Sequence, residues 1–301
     1  MIFKNIRIYV TVLFSSISCL TLHSSLALAG DHIDTQSLID MGRTDAALTD
    51  LHAFVRGTGT ERTLVLALST NSNIPENMSA ENYRFPEDLI LTILIDNNSK
   101  VIFDQPVEPF FGAFNATVIE PDNIKEDITI KVSFSSDGKP DLNIKNLIDS
   151  SDISFFAGLR DDPFILTQRN GRNVASIVLE IPLEDVIAEQ KTLLIWATSQ
   201  ITQTSHEAEI VELIGRGMYT EFTAWGLLDP QINTTQPRKH TKKLGFRPAV
   251  LIYDTSKPAK WPNGRSLLDD TIDPVFPELD PDNNVNDKIF LEEFPYLAEP
   301  H

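Results

Sequence analysis

Apolar positions along this chain fall mostly in short runs, many alternating with polar ones and broken by turn residues. That rhythm predicts strands rather than helices. Asp50-Leu51-His52-Ala53-Phe54-Val55 alternates and leads into a first strand, after a loop-rich lead-in. Thr63 to Thr70 (TLVLALST) is nearly all apolar or β-branched and predicts a buried strand. Asn71 to Pro86 is polar and turn-rich, a loop. Leu89 to Asp96 is a second strong strand, closed by an Asn97-Asn98-Ser99 turn, and Val101-Ile102-Phe103 predicts the return arm of a hairpin. Thr117 to Ile119, Ile128 to Phe134, Asn173 to Ile181, Thr192 to Thr198 and Glu207 to Ile214 read as further strands, the last two pairing with each other.

Helix is scarce. Leu142 to Ile148 predicts a short helix, and Leu183 to Gln190 one or two turns after Pro182. Asp137-Gly138-Lys139-Pro140 is a turn signal. Beyond Asp229 apolar side chains thin out, the run Arg238-Lys239-His240 reads as an exposed loop, and 254–300 is dense in Pro, Asp and Asn. Many strand candidates, little helix and no repeated unit predict a mainly β fold: an antiparallel β-sandwich with long acidic loops and short helices.

The first 29 residues predict a secretory signal peptide: Lys4 and Arg7, an apolar stretch from Ile8 to Leu22, then Ala27-Leu28-Ala29 as the cleavage site. Residues 30–301 then form a single sandwich-like domain whose part from about 230 onward is loop-rich. A retained membrane anchor is the competing reading, but the apolar stretch is short and interrupted by Ser and Thr. A lipid anchor on Cys19 is a minor alternative, because Ser16-Ile17-Ser18 lacks the leading Leu of the lipoprotein pattern. Cys19 is the chain's single cysteine, so the exported part has neither disulfide nor thiol chemistry. The expected location is the periplasm or the medium, with no membrane-spanning segment after cleavage.

Charge narrows the partners. A net charge of −18 argues against nucleic acid and anionic lipid. It permits bound cations, and it also serves solubility. Three acidic phrases are candidates. The mid-chain phrase Phe155-Phe156-Ala157-Gly158-Leu159-Arg160-Asp161-Asp162-Pro163-Phe164 sets two carboxylates side by side; a cation relieves their repulsion, and so does Arg160, as an ion pair capping a turn. The N-terminal phrase supplies His32, Asp34, Asp45, Asp50 and His52, while Asp40 reads as a cap. The C-terminal phrase runs Trp261-Pro262-Asn263-Gly264-Arg265 to Asp269, Asp270 and Asp273, and its Asn-Gly pair predicts a tight turn with positive φ. The metal-ligand candidates are Asp31, His32, Asp34, Asp50, Asp161, Asp162, Asp269 and Asp270. Oxygen donors suit Ca2+; histidine with carboxylates suits zinc, manganese or iron.

Asp280-Pro281-Asp282-Asn283-Asn284 begins like a calcium loop, but Val285 and Leu291 stand where the turn glycine and bidentate glutamate belong, so it reads as an acidic turn. There is no Gly-x-Ser-x-Gly elbow and no phosphate-cradling glycine loop, and no catalytic residue is assigned. Trp196, Trp225 and Trp261 are either sugar-stacking or core residues.

With these phrases laid out, the chain resembles the bacterial domain of unknown function 4331 family over nearly all of its exported part. The resemblance rests on Asp31-His32-Ile33-Asp34, Thr49-Asp50-Leu51-His52-Ala53-Phe54, Phe156 to Phe164, Asn173-Val174 leading to Glu180-Ile181-Pro182-Leu183, Pro262-Asn263-Gly264-Arg265 with Asp269-Asp270, and Phe294-Pro295-Tyr296-Leu297. Gln36-Ser37 and Ile165 depart from the family's pattern. The resemblance implies a secreted or periplasmic protein and no established activity. The expectation is an exported binding or structural module, not an enzyme, with an acidic site for Ca2+ or another divalent cation and a small ligand or protein as partner. The alternatives are a metal-dependent hydrolase and a sandwich module that binds sugar or haem.

Overall fold

The computed structural model describes residues 36–75, 77–103, 116–149, 151–163, 171–202, 208–216, 234–240, 248–269, 271 and 286–301. Its strands, in chain order, are β1 (Leu48–Arg56), β2 (Thr63–Pro75), β3 (Leu89–Asp96), β4 (Val101–Ile102), β5 (Thr117–Val118), β6 (Ile128–Phe134), β7 (Pro140–Lys145), β8 (Ser154–Asp161), β9 (Arg172–Pro182), β10 (Thr192–Ile201), β11 (Glu209–Ile214) and β12 (Leu251–Asp254). The α-helices among the described residues are one-turn pieces, Gln36–Asp40, Leu183–Val186 and Pro237–His240. The fold is therefore mainly β, as the hydrophobic rhythm predicts.

Two antiparallel sheets make the sandwich. One runs β1-β2-β9-β8; the other runs β10-β3-β6-β7, with β11 and β12 both pairing β10 on its remaining edge, while β4 pairs only β5. The core between the sheets is built from alternate positions. Leu51, Leu68 and Ile177 stand in one row across the first sheet, and Ala197, Ile93 and Ile130 in one row across the second. All six belong to one buried cluster.

The continuous burial of β3, and of Leu64 to Thr70 in β2, has a simple cause: both faces of each sheet are covered. Outside the second sheet, Leu94, Leu194 and Trp196 pack with Val118, Val250, Ile252 and Trp261. Outside the first, Phe54, Val65, Ala67 and Val178 pack with Leu267, Tyr296 and Leu297.

Four expectations are corrected. Residues predicted as a helix at Leu142 to Ile148 instead form most of β7, because Leu142 and Ile144 alternate with polar neighbours after the Gly138 turn and pair with Val132 and Ile130. Val101-Ile102 does not fold back on β3, whose two neighbours are β10 and β6; it pairs Val118 and Thr117 instead. The loop expected from Asn71 begins later, since β2 resumes pairing at Ile74 after a bulge and runs to Pro75. The Arg238 run is the end of a helical turn, not a loop. The paired strands β10 and β11 and the helical turn at Leu183 follow the pattern as read.

Segments from the C-terminal part seal both edges of the first sheet. Ala53 of β1 exchanges two 3.0 Å backbone hydrogen bonds with Arg265, and Asp161 N–H of β8 donates to the Ala298 carbonyl at 3.2 Å. Edge strands left bare invite pairing with other chains, so this cover matters for solubility. Gly264 makes the first contact possible. Its φ is +66°, as the Asn-Gly pair predicts, and a Cβ there would sit 2.8 Å from the Ala53 carbonyl oxygen.

Candidate functional site

The mid-chain phrase is a strand, not a turn: Ser154 to Asp161 is β8. Phe156, Gly158 and Arg160 alternate on its outer face. Gly158 leaves room for the Phe156 ring, since a Cβ would lie 2.9 Å from Phe156 Cζ. The ring then lies along the strand, and the Arg160 guanidinium carbon stacks 4.2 Å from its centroid. Arg160 Nη1 goes on to donate to Glu299 Oε2 at 2.6 Å. The expected ion pair capping a turn is replaced by a stacked arginine that reaches the end of the chain.

Asp50 lies on the outer face of β1, fully buried, with Arg265 Nη2 2.8 Å from its Oδ1 and His52 Nε2 at 4.0 Å. The His52 Nδ1 sits 3.1 Å from the Ser266 carbonyl, which can only accept, so Nδ1 is the donor. The register places Asp50 beside Ser69, Ser69 beside Ser176, and Ser176 beside Gly158. The two serine hydroxyls are 3.0 Å apart. The N-terminal and C-terminal acidic phrases therefore meet, but through an arginine rather than through shared carboxylates. Asp269 caps its own loop: Oδ2 accepts from Ser266 N–H at 2.7 Å and Trp261 N–H at 2.9 Å.

Asp50 and Asp161 stand on the two outermost strands of a four-stranded sheet. Three inter-strand spacings separate those strands by about 14 Å. The fold does not bring them into one coordination sphere. Asp31, His32, Asp34, Asp270 and Trp225 lie outside the described residues. Trp196 and Trp261 are 0% and 6% exposed, which makes them core residues rather than a sugar platform.

The cluster that does form centres on Asp161 and recruits residues the phrases did not name. Asp161, Asp287 and His301 each offer one ligand atom, and the three atoms lie within 4.8 Å of one another. His301 Nε2 is 3.0 Å from Asp161 Oδ1 and 3.4 Å from Asp287 Oδ2. Asp161 is pinned from every side. Its N–H holds Ala298, its Oδ2 accepts from Asn286 Nδ2 at 2.7 Å, and across the strand pair it faces Asn173. Asn173 is itself buried and accepts from His301 N–H at 2.8 Å. Asp287 Oδ2 accepts from Gly171 N–H at 2.7 Å. Asp162 is buried next door, its N–H donating to the Arg172 carbonyl.

Side-chain exposure grades outward: 1% for Asp161, 19% for Asp287 and 22% for His301. Burial pushes the Asp161 carboxyl up to about 6, the charges of Asp287 and Asp162 push the same way, and the Asn286 bond and His301 oppose them. The site gathers negative charge in a partly dry place, and the His301 imidazole reaches both carboxylates. A donor set of one imidazole and two carboxylates suits a divalent cation of the zinc, manganese or iron kind better than calcium. Asn286 adds an amide. Its Nδ2 is committed to Asp161 Oδ2 and, at 2.9 Å, the Lys288 carbonyl, and its Oδ1 is sheltered without a hydrogen-bond partner.

Nothing local marks Asp287 or His301 as partners of Asp161. They are separated from it by 126 and 140 positions in the numbering and arrive through the path of the chain. The available signal was the dense Asp-Asn stretch just before Asp287, read as an acidic turn. Compared with known proteins, the chain matches no family model and no curated protein.

Proposed function

We propose that this chain is an exported β-sandwich protein that binds rather than transforms its ligand, and that its acidic site takes a divalent cation between Asp161, Asp287 and His301. The observation that carries the reading is the convergence of a buried carboxylate, a second carboxylate and an imidazole within 4.8 Å. A cation there would offset the burial and the like charges that raise Asp161, and Asn286, held to Asp161 through its Nδ2, is the candidate fourth protein donor through its Oδ1. Four protein ligands describe a structural metal site; three with an open position describe a catalytic one. Asn286 is thus what favours a binding module over the hydrolase alternative. Support for export comes from the N-terminal charged-then-apolar segment and its Ala-x-Ala end.

The test is metal content and thermal melting of the purified protein, stripped with chelator and then given zinc, manganese or calcium alone. Bound metal near one per chain and a rise in Tm of several degrees are expected, the rise following from the linkage between ligand binding and folding. Asp161→Asn and His301→Ala lose the rise, whereas His240→Ala keeps it. In stripped protein Asp161→Asn melts no lower than the parent, because the amide removes a charge that is unfavourable where it is buried. No metal retained and identical melting curves in all four buffers would end the proposal.

A further inference from the structure

The cluster sits at the neck of a loop. Residues 286–301 leave the neighbourhood of Asp161, cross the outer face of the first sheet and return to Asp161. Asn286 Nδ2 bonds Asp161 Oδ2 at the outgoing end; Ala298 O and His301 Nε2 meet Asp161 at the returning end. Lys288 Nζ ties the two ends directly, donating to the Glu299 and Pro300 carbonyls at 2.9 and 2.7 Å. Between the ends the loop packs its own side chains downward. Tyr296 and Leu297 are 6% and 0% exposed and join Phe54, Val65, Ala67 and Val178, with Phe290 and Phe294 behind them. The Tyr296 ring meets Phe54 and Phe294 edge-on, lies 4.4 Å from the Arg56 guanidinium carbon, and its hydroxyl donates to Glu180. Close ends and a packed interior are the marks of an Ω-loop.

We infer that the divalent cation is the clip that closes this loop, so that its binding and release govern how firmly residues 286–301 cover the outer face of the four-stranded sheet. The inference rests on the cation reading above. The ligands come from three places: Asp287 from the outgoing end, His301 from the returning end, Asp161 from β8. An ion shared among them joins both ends to the sheet at one point. The middle of the loop is held by apolar burial and needs no ion. The neck is held by polar contacts whose side chains are part open to water, and such contacts are weak singly. The neck is therefore where an ion changes most. Release frees the ends, and the loop then opens more often from Phe54, Val65, Ala67 and Val178, which it otherwise keeps from water.

Hydrogen exchange read by mass spectrometry on the whole protein tests this, comparing stripped protein with protein given zinc or manganese alone, while equilibrium dialysis measures binding in the same samples. The amides of Leu291, Tyr296 and Leu297 have carbonyl partners inside the loop and report its closure. At free cation of about 100 Kd, any opening that releases the ion becomes about a hundredfold rarer, and exchange across 286–301 slows by up to that factor. Peptides from β3 and β10 stay unexchanged in both samples over the times at which 286–301 exchanges in stripped protein, so the slowing there reports a local opening. Asp287→Ala removes a ligand at a position outside the strands and abolishes the difference between stripped and cation-loaded protein. Metal bound in dialysis with unaltered exchange in 286–301 overturns the clip and leaves the cation site standing. Exchange of 286–301 in stripped protein as slow as that of β3 and β10 also overturns the clip, since the loop then opens only with the whole fold. No metal bound overturns the cation site, and the clip with it.

Discussion

At the scale of single residues, the mid-chain phrase owes its composition to geometry as much as to charge. Phe156 and Arg160 share a face of β8, and the position between them must be empty for ring and guanidinium to stack. Gly158→Ala pushes a methyl against Phe156 Cζ. The ring is the far end of a side chain and yields, so the backbone survives and the stack is lost. The expected effect is a loss of about 1–2 kcal/mol in denaturant unfolding with an unchanged m-value. Asp161 is the opposite case. Its neighbours fix its position closely while leaving it costly to ionise, a combination found where a group is matched to something that binds.

At the scale of elements, the first sheet is completed by pieces of chain that are not strands. Arg265 is the clearest example. Its backbone pairs with Ala53, and its guanidinium lies 2.8 Å from the fully buried Asp50. Removing one partner of a buried pair leaves the other charge in a dry place. Arg265→Ala should therefore destabilise the protein by about 3–5 kcal/mol, whereas Arg265→Ala combined with Asp50→Ala costs less than the sum of the two single changes. Chemical unfolding of the four proteins measures the coupling; strict additivity would mean that Asp50 and Arg265 act on stability independently rather than as a pair.

At the scale of the molecule, the two sheets are tied at the β1 side by polar contacts as well as by the core. Tyr253 OH, from β12, accepts from the Val55 N–H at 3.0 Å; Ser199 Oγ donates to the Ala46 carbonyl at 2.6 Å; and the buried Glu212 carboxylate accepts from Leu48 N–H. On the outside, Tyr296 closes the opposite face. Burial, then the Glu180 carboxylate, raises the Tyr296 phenol from 10.0 to about 12, and burial raises Tyr83 to about 12 as well. Both groups keep their proton in the fold at a pH where the unfolded chain has begun to lose it. Their contribution to stability is complete below pH 10 and disappears as the pH rises through about 12. Alkaline unfolding monitored with tyrosinate absorbance should show the loss in that window, and Tyr296→Phe should flatten part of it. Among the described residues no helix is long and apolar enough to cross a membrane.

The alternation and turn chemistry of the chain determined the strands. A period of two buries one face whichever partner a strand finds, and Gly138 and Gly264 bend where only glycine bends easily. The apolar run of Thr63 to Thr70 also marked that strand as buried. The chain also determined its charge, its lone cysteine and one real member of the cluster, Asp161. Pairing was decided elsewhere: β4 chose β5 over β3, and the Leu142 segment became β7, because a strand's partner is set by what lies beside it after collapse. The site was decided there too. Carboxylates adjacent in sequence, such as Asp269 with its own loop amides, were used locally, while the group around Asp161 drew Asp287 and His301 from the far end of the chain. Coordination depends on distances of a few ångströms in space, and no local pattern records which distant residues the path of the backbone will bring within them.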